Sequence, residues 1–385
     1  MSTDPTSAVQ GLLTNYVNKH AATSPHIGVV AGIISPDVQG GQTLLFAGGD
    51  TLWNTQQQSL TLDGDTLFEI GSITKVFTSL GWYLKHQDYE GTLGQFITAV
   101  TLPKLLSDIT IIDLASYCPG FPTDNQGGWW PAGVTQSLTN LLNFLKNAQN
   151  LPQYPAGSCY SYSNFGWGLL ALATSGVSSY SENVLQDWTT LITALTTDLN
   201  MSGNTAPYNS SMDASLPVGY DSTWTMLPLN HNYAPTAPML MGAGYLVSTG
   251  NDMMIWLNFN MGNPNPNLPV LQLQQGTTWT RGQCSGPNPD GPEVSLGWFF
   301  HHEMINGQQV TYLAKDGGVA GFTSWMGYQS WVGTGNASPI GCFVLTNSHG
   351  ASNLGTRIIN VLLGNPNPVD VPVKAEYVTP PAAEA

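Results

Sequence analysis

Apolar residues recur at intervals of three and four over residues 7–18, which predicts an opening helix. Runs of apolar and β-branched residues follow at 27–34 and 43–46, and we interpret them as neighbouring strands. The run 72–84 contains no proline and places its apolar residues on one stripe. Such a stripe predicts a second, largely buried helix.

The middle of the chain differs in pattern from both ends. From about residue 86 to residue 230, helical stretches such as 138–148 and 165–174 alternate with loops rich in proline and glycine. Runs rich in aromatic and β-branched residues then predict four strands, at 296–301, 309–314, 322–328 and 340–346. A closing helix is predicted at 354–363.

These patterns predict a mixed α/β (α+β) fold. Strands from both ends of the chain would form one antiparallel sheet flanked by helices. We assign residues 1–85 and 231–364 to this sheet domain, and residues 86–230 to an inserted, mainly helical domain. The remaining residues, 365–385, are rich in proline and alanine and are predicted to form an extended tail.

Charge and hydropathy exclude some classes of partner. The 385 residues include 9 Lys and Arg against 24 Asp and Glu, which gives a formal net charge of −15. Because the chain has no basic stripe, we do not expect it to bind nucleic acid, although one local cation can still hold a small anion. No apolar run approaches the roughly 20 residues that span a bilayer, so no transmembrane segment is predicted.

The four cysteines show no metal-binding pattern. Cys118, Cys159, Cys284 and Cys342 form no C-x-x-C pair and have no histidine at zinc-ligand spacing. We therefore expect neither a metal nor another cofactor. Two alternatives remain for Cys118 and Cys159: a disulfide bond between them if the protein is exported, or two buried free thiols.

Ser72 and Lys75 are the first candidates for catalysis. Serine is a weak nucleophile and needs a base within hydrogen-bond reach. Residues three apart share one face of a helix, so the Lys75 amine can lie beside the Ser72 hydroxyl at the helix N-terminus. The alternative is a chance occurrence of the S-x-x-K pattern, although no other lysine of the chain has a serine three residues before it.

Two later segments carry groups that can complete such a site. The phenol of Tyr162 can accept the serine proton and return it to the leaving group, and Asn164 offers a substrate amide both a donor and an acceptor. Lys315 can hold an anionic group, and Gly317 and Gly318 let a substrate approach backbone N–H groups. Taken singly, the same residues are also explained as a half-buried aromatic, a helix cap and a solvated turn.

The order and context of these segments resemble one enzyme family. Residues 68–75, Phe-Glu-Ile-Gly-Ser-Ile-Thr-Lys, are similar to the nucleophile segment of class C β-lactamases and related D-Ala-D-Ala carboxypeptidases. Residues 113–122 are similar to the helix and loop that follow it, and residues 162–164 match the Y-[AS]-N element. Residues 242–249 resemble the glycine-rich return and residues 315–317 the K-T-G element, so the resemblance covers nearly the whole chain.

The resemblance implies a serine hydrolase with a fold like that of β-lactamases and penicillin-binding proteins. Ser72 would attack the substrate carbonyl and form an acyl-enzyme, while Lys75 and Tyr162 would manage protons. Tyr162 would then activate the water that hydrolyses the ester.

The resemblance also implies how a substrate is held. Asn164 would bind the acyl-side amide, and Lys315 would meet the substrate carboxylate. Backbone N–H groups of the nucleophile and of Gly318 would form the oxyanion hole. One departure from the family pattern matters, because Asp316 replaces the threonine of K-T-G. Its carboxylate adds a negative charge beside the presumed carboxylate pocket, unless strand alternation turns the side chain away.

Several substrates and roles stay open at this point. The expected substrate is a small molecule or peptide with an amide or ester bond, such as a β-lactam, a D-amino-acid peptide or a small ester. A carboxylesterase of the same fold is one alternative, and a receptor module that acylates on β-lactams without turnover is an alternative of another class. We expect a periplasmic or secreted protein, although residues 1–5 lack the charged and apolar regions of a signal peptide, and the cytoplasm is the other possibility. The oligomeric state is not predicted.

Overall fold

The structure, a computed structural model, leaves parts of the chain undescribed. It describes residues 4–365 apart from 51, 55, 124–136, 181–182, 203, 228–239, 263–268, 285–289, 320 and 330–339. All but the first residue of the predicted tail at 365–385 lies outside the described residues, as does the predicted domain boundary at 230 and 231. The division into a sheet domain and an inserted helical domain stays a prediction.

Twelve helices and thirteen strands are described. The helices are α1 (Thr6–His20), α2 (Thr74–His86), α3 (Leu93–Phe96), α4 (Lys104–Ser107), α5 (Ile111–Ala115), α6 (Leu138–Asn147), α7 (Asn164–Ser175), α8 (Asn183–Asp198), α9 (Met241–Gly244), α10 (Gly250–Asn260), α11 (Pro269–Gly276) and α12 (Ala351–Leu362). The strands are β1 (Gly28–Ile34), β2 (Gln42–Gly48), β3 (Leu52–Trp53), β4 (Ser59–Leu60), β5 (Phe68–Glu69), β6 (Ala206–Pro207), β7 (Leu246–Ser248), β8 (Trp279–Thr280), β9 (Glu293–Ser295), β10 (Trp298–Ile305), β11 (Gln308–Val319), β12 (Phe322–Gln329) and β13 (Gly341–Thr346).

One eight-stranded sheet organises the fold. Its strand order is β2-β1-β13-β12-β11-β10-β9-β8, and every neighbouring pair is antiparallel. Strands β1 and β2 come from the start of the chain, and β1 pairs with the last strand, β13, so the sheet joins the two ends of the sequence. The predicted antiparallel sheet built from both ends of the chain is therefore confirmed.

The sheet buries both of its faces, because successive side chains of a strand point to opposite sides. On β1, Val29 belongs to the core that includes residues of α1 and α12, whereas Val30 belongs to the core that includes residues of α2 and α10. On β13, Val344 and Leu345 divide in the same way. Helix α2, which directly follows the turn that carries Ser72, packs on this second face.

Strand β11 is longer than the sequence pattern predicts. It continues to Val319 instead of ending at residue 314. Gly317 pairs with Ser324 and Gly318 with Thr323 in the ladder with β12. Glycine is uncommon in strands and suggested a turn, but here the ladder hydrogen bonds hold the segment extended. The solvated-turn interpretation of this segment is wrong.

The cysteine pairing also differs from both alternatives. Cys159 forms a disulfide with Cys284, and Cys118 is a buried free thiol. Backbone hydrogen bonds align the two bonded segments, since the Tyr160 N–H donates to the Gly282 carbonyl at 2.8 Å and the Cys284 N–H to the Tyr160 carbonyl at 2.9 Å. The segment that leads to Tyr162 is thus tied to the loop after β8.

The described residues contain no helix with the length and apolar character that crossing a membrane requires.

Loss of the Cys159–Cys284 disulfide should destabilise the protein, because the bond closes a loop of 125 residues. We expect the double variant Cys159→Ser/Cys284→Ser to lose about 2–4 kcal/mol of unfolding free energy, as long-loop disulfides usually provide. Urea titration with and without reductant measures the loss. Reductant should lower the wild-type midpoint and leave that of the variant unchanged; a wild type indifferent to full reduction would contradict the prediction.

Gly71 should tolerate alanine less well than a glycine with similar backbone strain. Gly71 has φ +48°, and an added Cβ would lie 2.6 Å from the Gly318 nitrogen. Gly41 has φ +82° but nothing within 4 Å of an added Cβ. We expect Gly41→Ala to cost about 1–2 kcal/mol of unfolding free energy, which is the backbone term alone, and Gly71→Ala to cost clearly more. Equal losses in denaturant titrations would mean that the close approach to Gly318 can relax.

Candidate active site

Ser72 lies at the start of the central helix α2. The 3₁₀ turn Gly71–Ile73 precedes α2 directly, and Gly71 adopts a positive φ there. The turn presents the Ser72 hydroxyl at the N-terminal end of α2, where the helix dipole favours negative charge. Ser72 keeps 8% of its surface exposed, so it is enclosed but not sealed.

Lys75 is fully buried and its amine contacts three oxygens. Nζ donates to Ser72 Oγ at 2.8 Å, to Asn164 Oδ1 at 2.7 Å and to the Ala243 carbonyl at 2.7 Å. The three acceptors come from the turn before α2, from the first residue of α7 and from α9. A lysine amine has three hydrogens in its charged form, and these contacts match them.

Asn164 reaches Lys75 because α7 begins at this residue. The N-cap is Ser163, whose hydroxyl accepts a hydrogen bond from the Gly166 N–H at 3.2 Å. The interpretation of Asn164 as a helix cap is therefore wrong. Because its oxygen accepts from Lys75, the amide nitrogen of Asn164 is the group suited to a substrate carbonyl.

Tyr162 lies between the two lysine amines. The Nζ atoms of Lys75 and Lys315 are 4.9 Å and 5.4 Å from the centroid of its ring. The ring also stacks on Tyr117 at a centroid distance of 5.4 Å, and the Tyr117 hydroxyl donates to the Gly297 carbonyl at 2.8 Å.

Tyr117 is a positioning residue that the sequence pattern does not reveal. It is one of the few residues other than glycine with a positive φ, at 58°. Its backbone carbonyl accepts the Ser161 N–H at 2.8 Å, next to Tyr162 in the chain. Tyr117 thus supports Tyr162 through both its ring and its backbone.

Two glycines let β11 approach the turn that carries Ser72. A Cβ on Gly317 would lie 2.1 Å from the Ile70 carbonyl oxygen, and one on Gly71 would lie 2.6 Å from the Gly318 nitrogen. Ser324 fixes the same contact, since its hydroxyl donates to the Ile70 carbonyl at 2.8 Å. The backbone of Gly318 therefore lies beside the backbone of the nucleophile turn, which is the arrangement that an oxyanion hole requires.

Lys315 is buried on β11 and contacts its own neighbour. Nζ donates to the Asp316 carbonyl at 2.7 Å and to Asp316 Oδ1 at 2.8 Å. Strand alternation does not remove the Asp316 carboxylate from Lys315. Phe299 covers the amine from another side, with Nζ 5.2 Å from its ring centroid.

Cys118 is a poor competitor of Ser72 as a nucleophile. Burial raises the pKa of the Cys118 thiol, although the Arg281 guanidinium donates to its sulfur at 3.0 Å and opposes the shift. A thiol whose pKa is raised carries little thiolate at neutral pH. Among the described residues, no three His, Cys, Asp or Glu side chains gather as metal ligands.

The structure thus brings all seven predicted site residues to one place. They are Ser72, Lys75, Tyr162, Asn164, Lys315, Gly317 and Gly318. Their catalytic and binding roles stay predictions. Sequence reasoning missed the Ala243 carbonyl, which is a backbone group and has no side-chain signal.

Solved structures with the same fold cover nearly the whole chain. The octameric penicillin-binding protein homologue from Pyrococcus abyssi superposes with a TM-score of 0.66 at 20% identity, covering 92% of this chain and 78% of its own. The D-alanine carboxypeptidase AmpC from Burkholderia cenocepacia gives 0.66 at 19% identity, over 93% and 99% of the two chains. The β-lactamase/D-alanine carboxypeptidase from Yersinia pestis gives 0.65 at 20% identity, also over 93% and 99%.

Sequence comparison identifies the family. No curated protein matches the chain significantly. The family model described as Beta-lactamase matches residues 17–364, which is most of the chain and includes every residue of the candidate site. The predicted fold is confirmed, and the chain belongs to the β-lactamase family.

Proposed function

We propose that the protein is a serine hydrolase that cleaves an amide or ester bond through an acyl-enzyme on Ser72. The observation that carries this proposal is the 2.8 Å contact between the buried Lys75 amine and Ser72 Oγ. A buried amine next to a serine hydroxyl is one of the recognised ways to activate this nucleophile.

The surroundings of Lys75 suit it to act as the base. In its neutral form, two amine hydrogens can remain on Asn164 Oδ1 and the Ala243 carbonyl. The nitrogen lone pair then points at the Ser72 hydroxyl and accepts its proton. Only the contact with Ser72 reverses direction, so the proton moves without rearrangement of the other two hydrogen bonds.

Acylation then follows in balanced steps. Ser72 Oγ forms a bond to the substrate carbonyl carbon, and backbone N–H groups of Ser72 and Gly318 stabilise the oxyanion. The bond from this carbon to the leaving nitrogen or oxygen breaks, and the proton that Lys75 took from Ser72 passes through Tyr162 to the leaving group, which returns Lys75 to its neutral form. Water next attacks the ester, giving one proton back to Ser72 Oγ by way of Tyr162 and releasing the acid.

The substrate class has three candidates within this chemistry. They are β-lactams, D-amino-acid peptides and small esters, and an esterase is the alternative favoured by the carboxylate of Asp316 beside Lys315. A receptor that acylates without turnover is the alternative of another class. A steady-state panel of a chromogenic cephalosporin, a D-Ala-D-Ala peptide and short-chain nitrophenyl esters separates the substrates. Mass spectrometry of the trapped protein separates slow turnover from permanent acylation.

We also propose an oxidising compartment, periplasmic or extracellular. The Cys159–Cys284 disulfide supports this location, because such bonds persist mainly outside the reducing cytosol.

Ser72 should be the residue labelled by an activated fluorophosphonate. We expect the wild type to react and Ser72→Ala to lose labelling, whereas Lys75→Ala should slow labelling by about 10²–10⁴-fold, the usual contribution of a general base. Ser158→Ala, a variant of an exposed serine four residues before Tyr162, is the matched control and should label normally. In-gel fluorescence gives the rates, and undiminished labelling of Ser72→Ala would end the proposal.

Removal of the Tyr162 hydroxyl should slow turnover. We expect Tyr162→Phe to reduce kcat for nitrophenyl ester hydrolysis by about 10²-fold, because a proton carrier is lost while the ring stays in place. Tyr180→Phe, at a tyrosine that is 44% exposed, serves as the control. If the two variants hydrolyse the ester equally fast, Tyr162 contributes only packing.

A further inference from the structure

We propose that Asp316 makes this site select substrates without a carboxylate next to the scissile bond. Resting on the proposed function, the inference names its substrate class: uncharged esters or amides instead of β-lactams and C-terminal D-amino-acid peptides. The observation behind it is that Lys315, the residue expected to receive a substrate carboxylate, already holds one from its own strand.

Most hydrogen atoms of the Lys315 amine already form hydrogen bonds within the protein. An ammonium group has three donors, and two of them go to the carbonyl and to the carboxylate of Asp316. The rings of Tyr162 and Phe299 flank the same nitrogen at 5.4 Å and 5.2 Å. At most one donor of the Lys315 amine remains for a substrate.

The charge of the Lys315 amine is also compensated. Its side chain is completely buried, whereas that of Asp316 keeps 23% of its surface exposed. The solvent-exposed charge of this pair is therefore the Asp316 carboxylate and not the Lys315 ammonium. A substrate carboxylate would be repelled by the like charge, and threonine at this position would provide a neutral hydroxyl instead.

Other cations of the chain are engaged or placed elsewhere. Arg281, near the disulfide, donates to Cys118 Sγ, and Lys75 donates to three oxygens around the nucleophile. The remaining cations of the described part of the chain are Lys19 in α1, Lys85 in α2, Lys104 in α4, Lys146 in α6 and Arg357 in α12. None of these helices carries a residue of the candidate site except α2, where Lys85 lies near the far end and donates to the Thr174 carbonyl.

Specificity of this kind is achieved by repulsion of the wrong substrate as much as by attraction of the right one. An uncharged ester requires no partner for an anion and loses nothing to Asp316. A formal net charge of −15 adds long-range repulsion of anionic molecules in the same direction. Asp316 is thus a specificity determinant and needs no part in the bond-breaking steps.

A matched pair of esters tests the inference. The meta-carboxyphenyl and meta-carbamoylphenyl esters of phenylacetylglycine share one acyl group and differ by a single negative charge on the leaving group. For the wild type we expect kcat/KM to favour the carbamoyl ester by about 10-fold or more, the size of effect that like-charge contacts produce. Asp316→Asn and Asp316→Thr should each bring the ratio close to one or reverse it.

The control variant removes a carboxylate from a lysine–aspartate pair outside the site. Asp108 pairs with Lys104 on the surface, so Asp108→Asn changes the net charge by the same amount and should leave the ratio of the two esters unchanged. If Asp108→Asn shifts the ratio as much as Asp316→Asn does, overall charge is the cause and the inference is wrong.

Fluorophosphonate labelling of every variant keeps the two proposals distinct. A wild type that is not labelled at Ser72 would overturn the proposed function. Two results, each with normal labelling, would overturn only the role of Asp316. One is a wild type that prefers the carboxylate ester, and the other is an unchanged ester ratio in both Asp316 variants. Because Asn and Thr remove the charge in different shapes, a folding defect in one variant leaves the other to decide.

Discussion

The buried amine of Lys75 is the constraint on which the site depends. An ammonium group removed from water destabilises a protein by several kcal/mol unless oxygens replace its hydration. The three oxygens that do so belong to the nucleophile turn, α7 and α9, so these elements must pack in one arrangement for the amine to be accommodated. The requirement that stabilises Lys75 therefore also determines where Ser72 and Asn164 lie.

Much of the fold could be predicted from hydrophobic pattern, and the gaps have physical causes. Strands β1 and β13 are continuous apolar runs, because both of their faces are buried, and helix α12 carries a clear apolar stripe. Helix α10 lacks a predictive pattern, since its polar residues are spread around the helix and leave no continuous apolar stripe. Strands β8 and β9 are two and three residues long, too short for any alternation to be visible.

In the candidate site, the contact set by local helix geometry could be predicted, whereas contacts that depend on the folded chain could not. The three-residue spacing from Ser72 to Lys75 follows from helix geometry alone, so the sequence suffices. The pairing of Cys159 with Cys284 does not follow, because four cysteines allow three connectivities and only the folded chain selects one. The contact from Lys315 to the carboxylate of Asp316 depends on a side-chain conformation at the strand edge, which alternation by itself would not give.

Helices α1 and α12 have a consequence for practical use of the protein. Both pack on the sheet face opposite the one associated with the nucleophile, and the Tyr16 hydroxyl in α1 contacts Ser348, just before α12 begins. Attachment of the protein to a surface through either helix would orient the cleft toward solution. An electrode, bead or fused carrier joined on that side would leave substrate diffusion to Ser72 unobstructed.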